Sequence, residues 1–196
     1  MPTELDQAPE LSFLDDLPLA RAAMRFAAGR HGRQRRASDH APFIVHPLEV
    51  AALLAQSGYP DHVVAAGVLH DVLEDTDVRR HDLEWRFGER VADLVAAVSE
   101  DPGIDDEEER KAELRERVRR LSGYPAVLYA ADKISKVREL RTRLATGANR
   151  EEIQPVLIRS RASLAMLDDT IPGSRLAGVL RFEIEALEEL PPQAES

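Results

Sequence analysis

The 196-residue sequence has no cysteine, and aromatic residues make up only 5% of it. The lack of thiols excludes disulfides and cysteine-built zinc sites, so any metal must be held by histidine and carboxylates. With so few aromatics the core falls to Ala, Leu and Val, and an Ala- and Leu-rich chain favours helix. No stretch approaches the roughly 18 consecutive apolar residues of a membrane span. The N-terminal run MPTELDQAPELSFLDDLPLA has neither the basic start nor the apolar centre of a secretory signal, so a cytoplasmic location is expected. An excess of positive charge is missing too: 26 Lys and Arg stand against 36 Asp and Glu, a net charge of −10. That field repels a nucleic-acid backbone, whereas a small anion can still bind where a metal or local arginines outweigh it.

What is present is helical periodicity, with no alternating strand pattern. The first helix is expected from about Asp16, with Pro18 in its first turn, through LARAAMRFAAGRHG to Gly32. After the basic loop RQRRASDHAPFIV come PLEVAALLAQ, ended at Gly58, and a continuous DHVVAAGVLHDVLED, ended at Thr76-Asp77. HDLEWRF and ERVADLVAAVSE are split at Gly88. Then follow DDEEERKAELRERVRRL, the long AVLYAADKISKVRELRTRLA, and two last helices, EEIQPVLIRSRASLAMLDD and SRLAGVLRFEIEALEEL, divided at Ile171-Pro172-Gly173. No repeat and no linker divides the chain. A single all-α domain over 11–189 is expected, with flexible ends at 1–10 and 190–196.

The segment LHDVLEDTD carries most of the chemistry. His70 and Asp71 project roughly 100° apart on a helix, while Glu74 follows His70 and Asp75 follows Asp71 by one turn. Three carboxylates and an imidazole on the end of the buried-looking run VVAAGVL are costly unless a cation sits among them. His46, fixed before Pro47, and Asp132, in the apolar stretch LYAADKI, are the further candidate ligands. Asp132 could instead pair with Lys133 or Arg138. A set of two imidazoles and two carboxylates suits Mn²⁺, Fe²⁺ or Zn²⁺ better than Mg²⁺ or Ca²⁺.

The order PFIVHP, LHDVLEDT, FG-x-x-VA-x-LV and ADKISKVR, spread from about Leu17 to Leu140, resembles the HD-superfamily hydrolase domain of RelA/SpoT type. It is similar in particular to the short stand-alone alarmone hydrolases of the metazoan SpoT-homologue kind. The resemblance implies an HD-domain bundle of about eight to ten helices and removal of the 3′-pyrophosphate of guanosine alarmones with one Mn²⁺. It implies His46, His70, Asp71 and Asp132 as metal ligands, and Glu74 and Asp75 as catalytic residues orienting a water and accepting its proton. It implies Arg36, with Arg35 beside it, near the substrate phosphates, while Lys136, a charge where the family has a neutral amide, suggests a differently placed phosphate.

The sequence also departs from that family. Ala37 stands where a Lys is usual, Phe43 where a Tyr is usual, Ser135 where a Tyr or His is usual, and Lys136 where an Asn is usual. LIRSRASLA supplies no aromatic counterpart for stacking on guanine. The hydrolytic residues are complete while those reading the nucleoside are rewritten. A phosphatase of another small phosphoester (an adenosine alarmone, a nucleotide or NADPH) is therefore the second reading. A catalytically silent nucleotide-binding regulatory module is the third, and retention of Glu74 and Asp75 argues against it. The basic run RHGRQRR reads either as a phosphate site or as a complement to a helix C-terminus. His31, His40, His62 and His81 read as surface residues, and Trp85 and Phe87 as core. The segment Asp105 to Arg120 reads as an exposed helix laced with ion pairs, or as a flap beside the site. The apolar faces of the last two helices suit either internal packing or a homo-oligomer contact.

Overall fold

The computed structural model describes residues 9–190. The described residues begin with a 3₁₀ turn at Pro9–Leu14. The two expected flexible ends lie outside the described residues, apart from Pro9, Glu10 and Leu190. Helix α1 (Pro18–His31) starts with proline at its first position, where no backbone hydrogen is needed. Its own N-cap side chain is apolar. The free amides of Leu19 and Ala20 are taken instead by Asp61 Oδ2 and Oδ1, at 2.9 and 2.8 Å. Asp61 opens α3 (Asp61–Leu69), so one carboxylate ties the starts of two helices together.

Helix α3 is buried on every side from Val63 to Leu69, as its uninterrupted small apolar sequence predicts. It packs between α1 and α2 (Val45–Gln56). The close approach to α2 needs Gly67, because a Cβ there would lie 2.7 Å from Leu54 Cδ1 and 3.4 Å from Ala51 Cα. The helix expected to run unbroken through Asp75 breaks at His70 and Asp71, and resumes as a single turn, α4 (Val72–Asp75). Asp71 has φ −93° and ψ −7°, the relaxed geometry of a helix end.

Helices α5 (Arg80–Phe87) and α6 (Glu89–Val98) meet at Gly88, whose φ of +85° allows the abrupt turn. Helix α7 (Glu107–Leu121) has the Asp106 side chain capping Glu109 N at 2.8 Å, acids in its first turn and arginines in its last. It is not wholly exposed, since Leu114 and Val118 are buried. The long α8 (Gly123–Ala145) crosses the middle of the molecule against α2 and α10 (Arg175–Glu188). Helix α9 (Arg150–Thr170) starts with a reciprocal Asn149–Glu152 cap. There is no strand among the described residues, only an isolated antiparallel bridge between Arg35 and Pro42. No helix among them is long and apolar enough to cross a membrane.

Two expectations about side chains fail. Trp85 is 81% exposed: in the short α5 the buried position is Leu83, and Trp85 points outward with the Arg86 guanidinium over its ring. Phe87 is half-buried and meets Phe26 edge-on at 5.4 Å. His31 is 3% exposed, not a surface residue, because the loop after α1 returns Phe43 to within 4.7 Å of its ring. His40 and His81 are exposed and His62 half-buried.

Candidate metal centre and adjoining cavity

Three helices deliver the candidate ligands to one point. His46 comes from the first turn of α2, His70 and Asp71 from the break between α3 and α4, and Asp132 from the middle of α8. All four are buried. The Nε2 atoms of His46 and His70 stand 3.2 Å apart. Asp132 Oδ1 lies 3.3 Å from the first and 3.5 Å from the second. Asp71 lies against both rings, with Oδ1 3.0 Å from His70 Nε2 and Oδ2 3.4 Å from His46 Nε2. Asp71 and its neighbour His70 thus reach the same point from the break between α3 and α4.

Each imidazole has its other nitrogen engaged. His70 Nδ1 lies 2.9 Å from Gly67 O, a carbonyl that can only accept, so Nδ1 carries the hydrogen. His46 Nδ1 lies 2.8 Å from Ser135 Oγ. Once deprotonated, both Nε2 atoms would face one location with their lone pairs. Two nitrogens each about 2.1 Å from a shared ion stand about 3.0–3.4 Å apart at angles between 90° and 109°, which matches the observed separation. Asp132 Oδ1 is buried and has no well-aligned hydrogen bond, though Lys136 Nζ lies 3.0 Å from it. His46, His70 and Asp132 thus form a compact group whose ligand atoms all lie within 4.8 Å of one another, with Asp71 beside it. These residues fit a divalent cation.

Electrostatics point the same way. Burial alone would raise the pKa values of Asp71 and Asp132. The His70 charge and the His46 hydrogen bond hold Asp71 well below the ordinary range, and Lys133 and Lys136 do the same for Asp132. Burial opposes the charged form of His70, but Asp71 and Asp132 outweigh it and push its pKa up to about 10. His46 shifts upward for the same reasons. Asp132 Oδ2 accepts from Lys133 Nζ at 2.8 Å and from Lys136 Nζ at 3.1 Å. Arg138, the other expected partner, is directed to Glu49 and Glu183 instead.

Glu74 and Asp75 are not packed into the centre as their spacing suggested. Both lie on the single turn α4 and have exposed surface. Glu74 Oε1 accepts from Glu100 N at 2.8 Å, which fixes the side chain. Burial raises the pKa of both Glu74 and Asp75, and the Asp71 charge adds to each. Gln34 Nε2 donates to Asp75 O at 2.7 Å, and His31 Nδ1 bonds Gln34 Oε1 at 2.8 Å, so the end of α1 braces this turn.

Beside the centre opens a cavity of about 480 Å³ walled by α7, α8 and α9. Lys136 and Lys133 form its inner end. Lys111, Arg115, Arg143 and Arg159 bring the cations lining it to six, against the three carboxylates Glu100, Glu107 and Glu139. In a chain of net charge −10 this is a local reversal of sign. Tyr129 is the aromatic residue of the wall. Its ring is covered by Lys133 Nζ at 4.4 Å and its hydroxyl is bonded to Ser163 Oγ at 2.9 Å. The two expected phosphate-binding arginines are not among the lining residues. Arg36 is ion-paired with Asp39 inside its own loop, and Arg35 is exposed. Four cavity cations (Lys111, Arg115, Arg143 and Arg159) were not among the expected site residues.

Residues 23–157 match the HD domain family model. This chain belongs to the HD domain family. The chain is 36% identical over 135 residues to the guanosine-3′,5′-bis(diphosphate) 3′-pyrophosphohydrolase MESH1 of Mus musculus, an alignment covering 67% of the chain and 75% of that relative. It is 38% identical over 120 residues, 60% of the chain, to a guanosine-3′,5′-bis(diphosphate) 3′-pyrophosphohydrolase of Aquifex aeolicus, where the match spans only 17% of the relative's length. The solved structure of a metazoan SpoT orthologue described as hydrolysing ppGpp superimposes with a TM-score of 0.78 at 27% identity, covering 88% of this chain and 97% of that one. The fold is the HD-type helical bundle.

Proposed function

We propose that this HD-family chain is a metal-dependent phosphohydrolase that removes the 3′-pyrophosphate of guanosine 3′,5′-bis(diphosphate), with residues 11–189 acting as one cytoplasmic domain. The observation that carries the reading is the convergence of His46, His70, Asp71 and Asp132 on one point, with Asp132 paired to Lys133 and Lys136 of the adjoining cationic cavity. Those four residues would hold one divalent ion, Mn²⁺ in our assignment. Its chemistry there is Lewis-acid polarisation of a phosphoryl oxygen and a lowered pKa for water.

The chain's own groups supply the rest. Glu74, held by Glu100 N through one oxygen, keeps its other oxygen for orienting a water at the rim and accepting its proton. Its raised pKa makes it a better proton acceptor than an ordinary surface carboxylate. Asp75, held through its backbone by Gln34, is placed on the same turn for the same work. Lys136 and the cations farther along the cavity neutralise the substrate's phosphates, a small and confined polyanion rather than a nucleic-acid backbone. Arg36 and Arg35 act from the neighbouring loop, Arg36 after leaving Asp39 for a phosphate. The covered Tyr129 ring and the extra cation Lys136 favour, as the second reading, a phosphoester whose base is not stacked.

The test is turnover of a panel of guanosine and adenosine alarmones, nucleotides and NADPH by the Mn²⁺-supplemented protein, with Glu74→Gln as control. Pyrophosphate release from guanosine 3′,5′-bis(diphosphate), lost in the control, is the expected result. Turnover only of other esters would establish the second reading. Tight binding without turnover would overturn both.

A further inference from the structure

The two histidines are braced by different means. His70 Nδ1 donates to a backbone carbonyl one turn earlier on its own helix, so its orientation is fixed by the helix itself. His46 Nδ1 has no such neighbour. It meets Ser135 Oγ at 2.8 Å, a side chain 89 residues away on α8. Ser135 has one hydroxyl hydrogen, and Glu49 Oε2 lies 2.6 Å from Oγ. Glu49 is ion-paired through its other oxygen with Arg138 Nη1 at 2.9 Å, so it is an acceptor only. The hydroxyl hydrogen therefore goes to Glu49, and Oγ is left to accept from His46 Nδ1–H.

This fixes the tautomer with the Nε2 lone pair facing His70 and Asp132. The chain continues outward: Arg138 Nε donates to Glu183 Oε1 at 2.7 Å, and Arg141 closes on the other oxygen of the buried Glu183. Helices α2, α8 and α10 are thereby joined by one line of hydrogen bonds ending on His46. Ser135 is 1% exposed, so water does not replace the relay.

We infer that Ser135 and Glu49 are positioning residues, a carboxylate acting through a hydroxyl to hold His46 as the Nδ1–H tautomer and so set the affinity of the centre for a divalent cation. A carboxylate bonded to the far nitrogen of a ligating imidazole both orients the ring and raises its basicity. Here the serine spans the gap that keeps Glu49 from reaching the ring. The inference rests on the reading of His46, His70, Asp71 and Asp132 as a metal centre.

The experiment measures Mn²⁺ binding to the full chain by the loss of the free-ion electron paramagnetic resonance signal. The proteins are the unaltered chain, Ser135→Ala, Ser135→Thr and Glu49→Gln, with the melting temperature of each metal-free protein recorded alongside. Ser135→Ala is expected to weaken binding by about 10–100-fold. Ser135→Thr, which keeps a hydroxyl, should recover most of the loss, and Glu49→Gln should give an intermediate value. Nitrogen-15 spectra should show a protonated Nδ1 on His46 in the unaltered protein. If Ser135→Ala fails to fold, Glu49→Gln together with the tautomer measurement decides. Binding by either variant within twofold of the unaltered chain, or an unprotonated His46 Nδ1, would overturn the relay while leaving the metal centre standing. No saturable Mn²⁺ binding to the unaltered chain would overturn both.

Discussion

Loading the centre with a divalent cation should release about one proton near neutral pH. The two Nε2 atoms face each other at 3.2 Å while both Nδ1 hydrogens are committed, to Gly67 O and to Ser135 Oγ. Without a metal, a hydrogen bond between the rings requires one of them to be an imidazolium. His70 is that ring: burial opposes its charge, but Asp71 and Asp132 prevail and its pKa stands at about 10. A cation takes the Nε2 lone pair only after the proton has left. Each pH unit below that pKa weakens apparent affinity about tenfold, so at pH 7 the handicap is roughly a thousandfold, ~4 kcal/mol.

The sign for stability follows from the same group. Because the folded pKa is raised above the ordinary 6.5, His70 stabilises the metal-free chain fully below about pH 6.5. That contribution is lost as pH rises toward 10, over the same range in which metal binding strengthens. Calorimetric titration of Mn²⁺ into the chain, in buffers of different ionisation enthalpy at pH 7 and pH 8, counts the protons directly. Close to one proton released and roughly tenfold tighter binding at pH 8 are expected. No proton release, with the same affinity at both pH values, would refute the reasoning.

Asp61→Ala removes the acceptor for two free amides of α1, Leu19 N and Ala20 N, and should cost about 1–2 kcal/mol in chemical denaturation. Gly67→Ala places a methyl 2.7 Å from the fully buried Leu54, so a loss of about 1–3 kcal/mol is expected, with weaker Mn²⁺ binding because Gly67 O orients His70. Lys136→Asn takes a competing ammonium from Asp132. Since the Lys136 side chain is 42% exposed the effect is modest: Mn²⁺ should bind about three- to tenfold tighter while KM for a polyphosphorylated substrate rises, both read by titration and steady-state kinetics. Trp85→Ser should change stability by less than about 0.5 kcal/mol, since the ring is exposed; a larger loss in a thermal melt would show that it packs after all.

What could be read in the sequence is what lies within a few residues or carries an unusual residue type. His46 before a proline, the His70-Asp71 pair and an aspartate in an apolar run each stand out against their immediate neighbours, and the fold brings all four together. The split at Gly88 follows from local backbone chemistry in the same way, whereas α1 begins at Pro18 rather than near Asp16, and α7 begins after Asp106 rather than at Asp105. The break at His70 did not show, because its residues all suit a helix. Trp85 misled because its size argues for burial, whereas the depth of a short helix is set by which one side faces α6.

The cavity is the deeper case. Lys111 and Arg115 lie in a run of charges that ordinary salt bridging along a helix accounts for, and Glu100 and Glu107 do pair with Lys111. Arg159 lies about 45 residues farther on and reaches Glu107 and Glu108 at the same wall. Nothing local separates a cation that neutralises its own helix from one that faces a ligand, because both have the same composition and spacing. Ser135 stands out in the sequence only as a departure from the family pattern, and its contacts to a histidine and a glutamate of another helix appear only in the fold. The metal-binding chemistry is written in residue types that are costly to bury and therefore conspicuous. The groups that orient it and face its ligand are ordinary residues, whose meaning arises when α2, α7, α8 and α9 are packed together.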